Sequence, residues 1–346
     1  MKHGKTINEL AAEIVRQQKS KRDFVLPTTM VEAFPMNGEL NLDWATSKAG
    51  DERLNMPLTD ISHRQLGEFC SIPAKYYDLM RKAHPGLLAQ NVKHWLNVSS
   101  DRRMIRTLDG NIRAVLSDKY RRLDNFDIAQ NILPMLNEAN AEVESCEITE
   151  KRLYIKAITH KVQAEVKVGD VVSAGVLIQN SEVGHGSLAV KPLIYRLVCR
   201  NGAIADKYAL KKYHVGRLVE LQDVEFAQDT HAADDKSFWL QTRDLVKHCL
   251  NEVTFKKIVE SMSETTTQKI GRVSDVIELV SSDYGFTDTE RENVLDHLIT
   301  GGDLTSWGLG NAVTRAAQDV ESYDRSTELE TFGFEIMHRN WKIEEN

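Results

Sequence analysis

Met104-Ile-Arg-Thr-Leu108, then Asp109-Gly110, then Asn111-Ile-Arg-Ala-Val-Leu116: two short β-prone runs meet at an Asp-Gly pair. Asp and Gly tolerate the positive φ of a tight turn, so residues 104–116 are expected to form a β-hairpin. Working towards the C-terminus, Asn125 is expected to cap a helix in which Ile128, Ile132, Leu133 and Leu136 share a face, interrupted by Pro134. Five β-like runs follow, at residues 142–148, 152–158, 162–168, 170–179 and 187–199. The last two alternate poorly and read as central strands covered on both faces. Residues 101–222 are therefore expected to form a central antiparallel β domain with one helix.

The flanks read as helical. Thr6-Ile-Asn-Glu9 is a capping box, after which Ile7, Leu10, Ala11, Ile14 and Val15 fall on one helical face. Residues 24–60 contain Pro27, Pro35 and Pro57 and suit irregular structure or short strands. Ser62-His-Arg-Gln65 reads as a second capping box, and Ser71-Ile-Pro73 separates its helix from the next. A further helix carries Leu88, Val92, Trp95 and Leu96, which completes a helical N-terminal segment over residues 1–100. Beyond the central domain, Thr287-Asp-Thr-Glu290 is a third capping box and Gly301-Gly302 a stop. A last helix is expected over residues 325–337, and residues 223–346 form an acidic helical domain. The fold class is α+β, with a central antiparallel sheet and a packed helix.

Charge follows this division. The 346-residue chain has a net charge of -7, but residues 220–346 hold 26 acids and 12 bases, leaving 25 acids and 32 bases for residues 1–219. A net of +7 thus precedes a net of -14, so the acidic total does not exclude nucleic acid. At 41% hydrophobic and 27% charged residues the chain is globular in type rather than disordered. No apolar run is long enough for a membrane span. The four cysteines, Cys70, Cys146, Cys199 and Cys249, lack metal-type spacing, which fits a soluble protein in a reducing, cytoplasmic compartment.

Catalytic signatures are sparse. No Walker-type phosphate loop, zinc-protease helix motif or nucleophile elbow is present. Val183-Gly-His-Gly-Ser187 precedes no helix and reads as a glycine-permitted turn. Cys199 with His185 or His214 is a conceivable nucleophile pair, but a Cys ending an apolar strand is more simply a small buried hydrophobe. No cofactor or metal is implied. The acids Asp283, Asp288, Glu290, Glu292 and Asp296 read as a solvated helix face.

The basic stretches say more. Residues 100–125 contain Arg102, Arg103, Arg106, Arg113, Lys119, Arg121 and Arg122, with Tyr120 among them. Residues 191–217 contain Lys191, Arg196, Arg200, Lys207, Lys211, Lys212 and Arg217, interleaved with Tyr195, Tyr208, Tyr213 and His214. Cations that track phosphates, with aromatics for base stacking, suit single-stranded nucleic acid. The plain counter-reading is a solvated basic face, or bases paired with acids elsewhere in the chain. The helices around Ser71-Ile-Pro73, with Arg64, Lys75, Arg81 and Lys82, also admit a helix-turn-helix. The acidic domain is expected to repel DNA, mimic it, or dock a protein partner.

Asn180-Ser-Glu-Val-Gly184 and Val198-Cys-Arg-Asn-Gly202 resemble segments of the "phage/plasmid-like protein" family of domains of unknown function. Ile72-Pro-Ala-Lys-Tyr76, Leu116-Ser-Asp-Lys-Tyr120, and Trp307 with Asn311-Ala-Val-Thr314 are similar in order, so the resemblance covers about residues 40–335. It implies genes of phages, plasmids and integrated elements, and so a bacterial host cell, and no established activity. The layout of hairpin, helix and basic sheet also resembles that of phage single-strand annealing proteins, which act as rings. The expected function is non-catalytic binding or annealing of single-stranded DNA by a homo-oligomer. An anti-defence or host-takeover factor acting through the acidic domain, and an enzyme with a dispersed site, are the alternatives.

Overall fold

The computed structural model describes residues 1–46, 53–98, 101–120, 122–208 and 228–341. Helix α1 (Ile7–Ser20) has the expected capping box, Thr6 and Glu9 each satisfying the other's backbone N–H. Strand β1 (Arg22–Pro27) follows, then β2 (Val31–Met36), β3 (Glu39–Ala45) and β4 (Arg53–Pro57), which pair in order as a small antiparallel sheet. Helices α2 (Asp60–Phe69), α3 (Ala74–Ala83) and α4 (Pro85–Val98) come next. The expected box at Ser62–Gln65 is corrected: Thr59 is the N-cap and accepts from the Ser62 N–H. Gln65 is unavailable as a cap partner because its amide bridges the Val115 N–H and the Val183 carbonyl.

The hairpin is present as β5 (Arg102–Leu108) and β6 (Asn111–Ser117), with Asp109 and Gly110 both at positive φ. It joins β1 rather than the large sheet, in the order β1-β5-β6, with Arg22 opposite Thr107 and Pro27 opposite Arg102. Ile105, Ile112 and Val115 share a core with Val31, Leu40, Leu42 and Trp44 of the N-terminal sheet and with Leu66, Met80, Leu88 and Val92 of α2–α4. One apolar core thus crosses residue 100.

Helix α5 (Asn125–Glu138) begins one residue earlier than expected, with Asp124 and not Asn125 at the N-cap. Strands β7 (Glu142–Ile148), β8 (Leu153–Lys167), β9 (Asp170–Asn180), β10 (Ala189–Arg196) and β11 (Asn201–Ile204) form a five-stranded antiparallel sheet in sequential order. Two expected strands, 152–158 and 162–168, are one strand whose register against β9 jumps between Thr159 and Gln163. One face of the sheet, with Leu153, Ile155, Ala157, Val176 and Ile178, is covered by α1, α5 and helix α6 (Gln228–Cys249). The helices α7 (Glu252–Thr265), α8 (Val273–Tyr284), α9 (Asp288–Gly301), α10 (Ser306–Ala316) and α11 (Tyr323–Met337) complete the chain. Phe255 and Ile258 of α7 pack on Val172, Ala174 and Ile194, together with Trp307 of α10 and Phe334 of α11. The capping box at Thr287 and Glu290 and the left-handed stop at Gly302 are as expected. The class is α+β, and no helix among the described residues is long and apolar enough to cross a membrane.

The opposite face of the large sheet holds Tyr154, Ile158, Leu177, Leu193 and Tyr195 against Tyr323 of α11. In its middle, Lys156 donates to Glu330 of α11 at 2.5 Å, and neither side chain has any exposed surface. Burial pulls the Lys156 ammonium below its ordinary range, and the Glu330 charge opposes that pull. The sheet and the acidic region are therefore joined by a buried charge pair as well as by apolar packing.

Candidate functional site

The Asn180–Gly184 segment lies where the five-stranded sheet meets the β1-β5-β6 sheet, and each of its residues has a structural task. Asn180 donates to the Leu123 carbonyl and the Asn125 side chain. The Ser181 hydroxyl donates to the Lys151 carbonyl and accepts from the backbone N–H groups of Val183 and His185. Val183 packs with Ile61 and Ala114. Gly184 has a φ of +82, and a Cβ there would stand 2.8 Å from Leu116 Cδ2, so only glycine fits. Val183–Ser187 is thus the turn that the sequence suggests.

Glu182 is the centre of a buried ionic cluster. Its carboxylate accepts from Arg113 Nη1 at 2.7 Å, from the Asn125 N–H at 2.8 Å and from Lys21 Nζ at 3.4 Å. Lys21 also meets Asp124 at 2.8 Å. Arg106, fully buried, grips Asp23 with Nε and Nη2 and reaches Asp124 at 2.6 Å and the Glu182 carbonyl at 2.9 Å. Burial opposes ionisation of Asp124, but hydrogen bonds and charge from Lys21 and Arg106 outweigh it and hold the carboxyl at about 2. Lys21, Asp23, Asp124 and Glu182 were not among the residues expected from sequence. Their one visible signal is Glu182, which stands in the Asn180–Gly184 motif.

The basic stretches are divided by this packing. Arg106 and Arg113 face carboxylates in the interior. Arg196 grips Asp170 at 2.6 and 2.7 Å, and Lys191 meets Asp206 at 2.6 Å. Arg103 is half-buried over the Phe69 ring. Of the tyrosines, Tyr120 donates to the Ser181 carbonyl, Tyr195 is buried with its hydroxyl on Glu144, and Tyr208 packs edge-on to Phe334. Burial, then the Glu144 charge, pushes the Tyr195 phenol up to about 12. Exposed cations are Arg102, Lys119, Arg122, Arg200 and Lys207. Arg102, Arg103 and Lys119 cluster at the open end of the hairpin, where Arg103 pairs with Ser117. Arg200 and Lys207 flank β11. Arg121, Lys211, Lys212, Tyr213, His214 and Arg217 lie outside the described residues.

The second motif, Cys199–Gly202, was expected to be a tight turn at Asn201-Gly202. That is corrected: the left-handed residue is Arg200, with φ 51, while Asn201 and Gly202 are paired in β11 with Arg196 and Tyr195. Gly202 leaves room for the Leu193 and Met1 side chains, which a Cβ would approach to 2.9 Å. Asn201 donates to Thr314 Oγ1 at 2.5 Å and so ties β11 to α10. Cys199 accepts from Arg196 Nη1 at 3.3 Å, and among the described residues no histidine is hydrogen-bonded to it. The described residues contain no group of three or more His, Cys, Asp or Glu placed to hold a metal. In the helix-turn-helix candidate, Arg64 pairs with Asp78 and Arg81 with Asp60, leaving Lys75, Tyr76, Leu79 and Lys82 exposed on α3.

Both motifs fall in one region of the chain, and so does the family match. The family described as "Domain of unknown function (DUF932)" matches residues 114–340. The chain belongs to this family. The DUF932 segment begins inside β6 and runs through the large sheet to the end of the helical region. It thus includes Glu182 and Asp124 but not the cations Lys21, Arg106 and Arg113 that neutralise them. Neither the curated proteins nor the solved structures gave a match.

Proposed function

We propose that this DUF932 protein binds nucleic acid without catalysis, through phosphate contacts made by Arg102, Lys119, Arg122, Arg200 and Lys207. The observation that supports this reading is their exposure, in a part of the chain whose net charge is +7 while the C-terminal part is -14. Internal pairing removes Arg106, Arg113, Lys191 and Arg196 from this role, and the engaged tyrosines Tyr120, Tyr195 and Tyr208 remove base stacking by those rings. What is left is sequence-independent attraction to phosphate. Preference for single strands, action as an oligomer and a mobile-element setting are the further parts of the proposal, supported by the resemblance of the motifs and of the layout.

Five phosphate contacts give a salt slope of about -3.5 on single strands, or roughly a hundredfold loss of affinity between 50 and 200 mM salt. Fluorescence anisotropy with labelled single- and double-stranded oligonucleotides tests this. Each charge-removing change, such as Arg102→Gln or Arg122→Gln, should flatten the slope by about 0.7. Absence of binding at 50 mM salt would reject the proposal.

A further inference from the structure

Towards the Tyr154 end of β8, the sheet face beneath α11 opens into a cleft of about 370 Å³. Its floor is one row of the sheet: Gln179 of β9, with Tyr154 of β8 opposite it on one side and Ala189 of β10 on the other. The small side chain of Ala189 leaves this floor open. The roof is one side of α11, where Asp324, Thr327, Glu328 and Thr331 recur at helical spacing. Arg152 and the turn residues His185 and Ser187 form the rim, and Phe332 supplies an apolar wall. The volume is that of a small-molecule site.

Three planar polar groups of this cleft are fixed at one side and free at the other. Asp324 Oδ1 accepts from the Tyr154 hydroxyl at 2.7 Å and from the Thr149 hydroxyl at 3.2 Å, while Oδ2 meets no protein donor among the described residues. Arg152 Nε donates to the His185 carbonyl at 2.9 Å and Nη1 to the Tyr154 hydroxyl at 3.5 Å, which leaves Nη2 unengaged. Gln179 is held by backbone pairing on both sides, and among the described residues nothing bonds its side-chain amide. All three residues are half-buried, and none of the free ends belongs to the unpartnered atoms shut off from solvent, so each can be reached. Groups held ready in this way take a ligand at little ordering cost. The charges nearly cancel: Lys191 is taken by Asp206 at 2.6 Å and Glu328 by Arg325 at 3.2 Å, leaving Arg152 against Asp324. Burial, then the Arg152 and Lys151 charges, pulls the His185 imidazole below its ordinary range, so it is uncharged at neutral pH. There is no surplus cation for a phosphate. A carboxylate, an amide and a guanidinium instead match neighbouring hydroxyls, each of which both donates and accepts, and an aromatic wall suits the C–H face of a sugar ring.

We infer that this cleft binds an uncharged sugar ring, whose neighbouring hydroxyls are taken by Asp324 Oδ2, the Gln179 amide and Arg152 Nη2. The source is a free monosaccharide or the ribose of a nucleoside. The site is separate from the exposed cations of the nucleic-acid reading and stands without it. The test is saturation-transfer-difference NMR of the full chain with glucose, galactose, ribose and adenosine, each to about 10 mM. Saturable binding of at least one sugar is expected. A hexose response identifies free carbohydrate, and ribose together with adenosine identifies the nucleoside. Gln179→Leu removes an amide that no protein group uses, so its Tm should match wild type. Its sugar binding should weaken about tenfold, the equivalent of one lost hydrogen bond. Ala189→Phe, which fills the floor, should weaken binding as well and serves if the leucine variant folds poorly. No saturable response to any of the four, a response to adenosine alone, or unchanged binding in a folded variant would overturn the assignment.

Discussion

Replacing Lys156 by Met isolates the buried carboxylate of Glu330. Both side chains are fully enclosed, 2.5 Å apart, and Glu330 Oε1 already lacks a hydrogen-bond partner, so removing the ammonium takes away the pair's buried hydrogen bond. Breaking such a pair from one side costs about 3–5 kcal/mol. For 346 residues unfolding together, an entropy near 2.1 cal/mol/K per residue converts this to a fall in Tm of roughly 4–7 °C. The apolar stem of Met retains the place that Lys156 occupies beside the Tyr323 ring, so packing loss is small. Adding Glu330→Leu should restore most of the loss, because a well-packed apolar pair carries no desolvation penalty. Urea unfolding followed by circular dichroism, on wild type, both single variants and the double, gives the coupling energy directly. A Lys156→Met chain within about 0.5 kcal/mol of wild type, or additive losses in the double, would refute this account of the pair.

Three other expectations follow from the same structure. Glu182→Ala removes the acceptor of Arg113, Lys21 and the Asn125 N–H at once, and should cost about 3–5 kcal/mol in urea unfolding. Asp124 has its carboxyl held at about 2, below the unfolded value of about 3.9, so its contribution is complete above pH 4 and is lost as pH falls towards 2. Acid titration of stability should show a component on the order of 2 kcal/mol in that window, absent in Asp124→Asn. Gly310→Ala should lower stability by about 1–3 kcal/mol in thermal unfolding, because its Cβ would stand 2.6 Å from both the Gly333 carbonyl and Met337 Cβ where α10 crosses α11.

Local signals were legible in the sequence, and non-local ones were not. The hairpin at Asp109-Gly110 and the capping boxes at Thr6 and Thr287 are written within a few residues, and each is found in place. Ser62–Gln65 has the same pattern, but Gln65 serves a strand 50 positions away and a turn 118 positions away, and nothing nearby records that. The association of the hairpin with β1 is similarly invisible, because Arg102 and Pro27 are ordinary edge residues until they are paired. The basic stretches show the limit most clearly for the site. Composition counts Arg106 and Arg122 alike, yet one is sealed against Asp23 and Asp124 while the other is exposed and reaches Asp23 only at 3.9 Å. Net charge predicts attraction to phosphate; only packing separates the cations that can act on it from those already neutralised.

The ionic cluster also sets an order of assembly. Arg106 can meet Asp23 once the first 106 residues exist, but Asp124 and the Glu182 carbonyl arrive much later in the chain. Lys21 and Arg113 must wait for Glu182 itself. Strand β1 pairs with a strand some 80 positions downstream, so loop closure delays even the three-stranded β1-β5-β6 sheet. During synthesis, at about 5–20 residues per second, a nascent chain spends several seconds with these cations enclosed only in part. Docking of the Asn180–Gly184 turn is the event that closes the cluster, and it commits the β1-β5-β6 sheet and the large sheet to one folding unit.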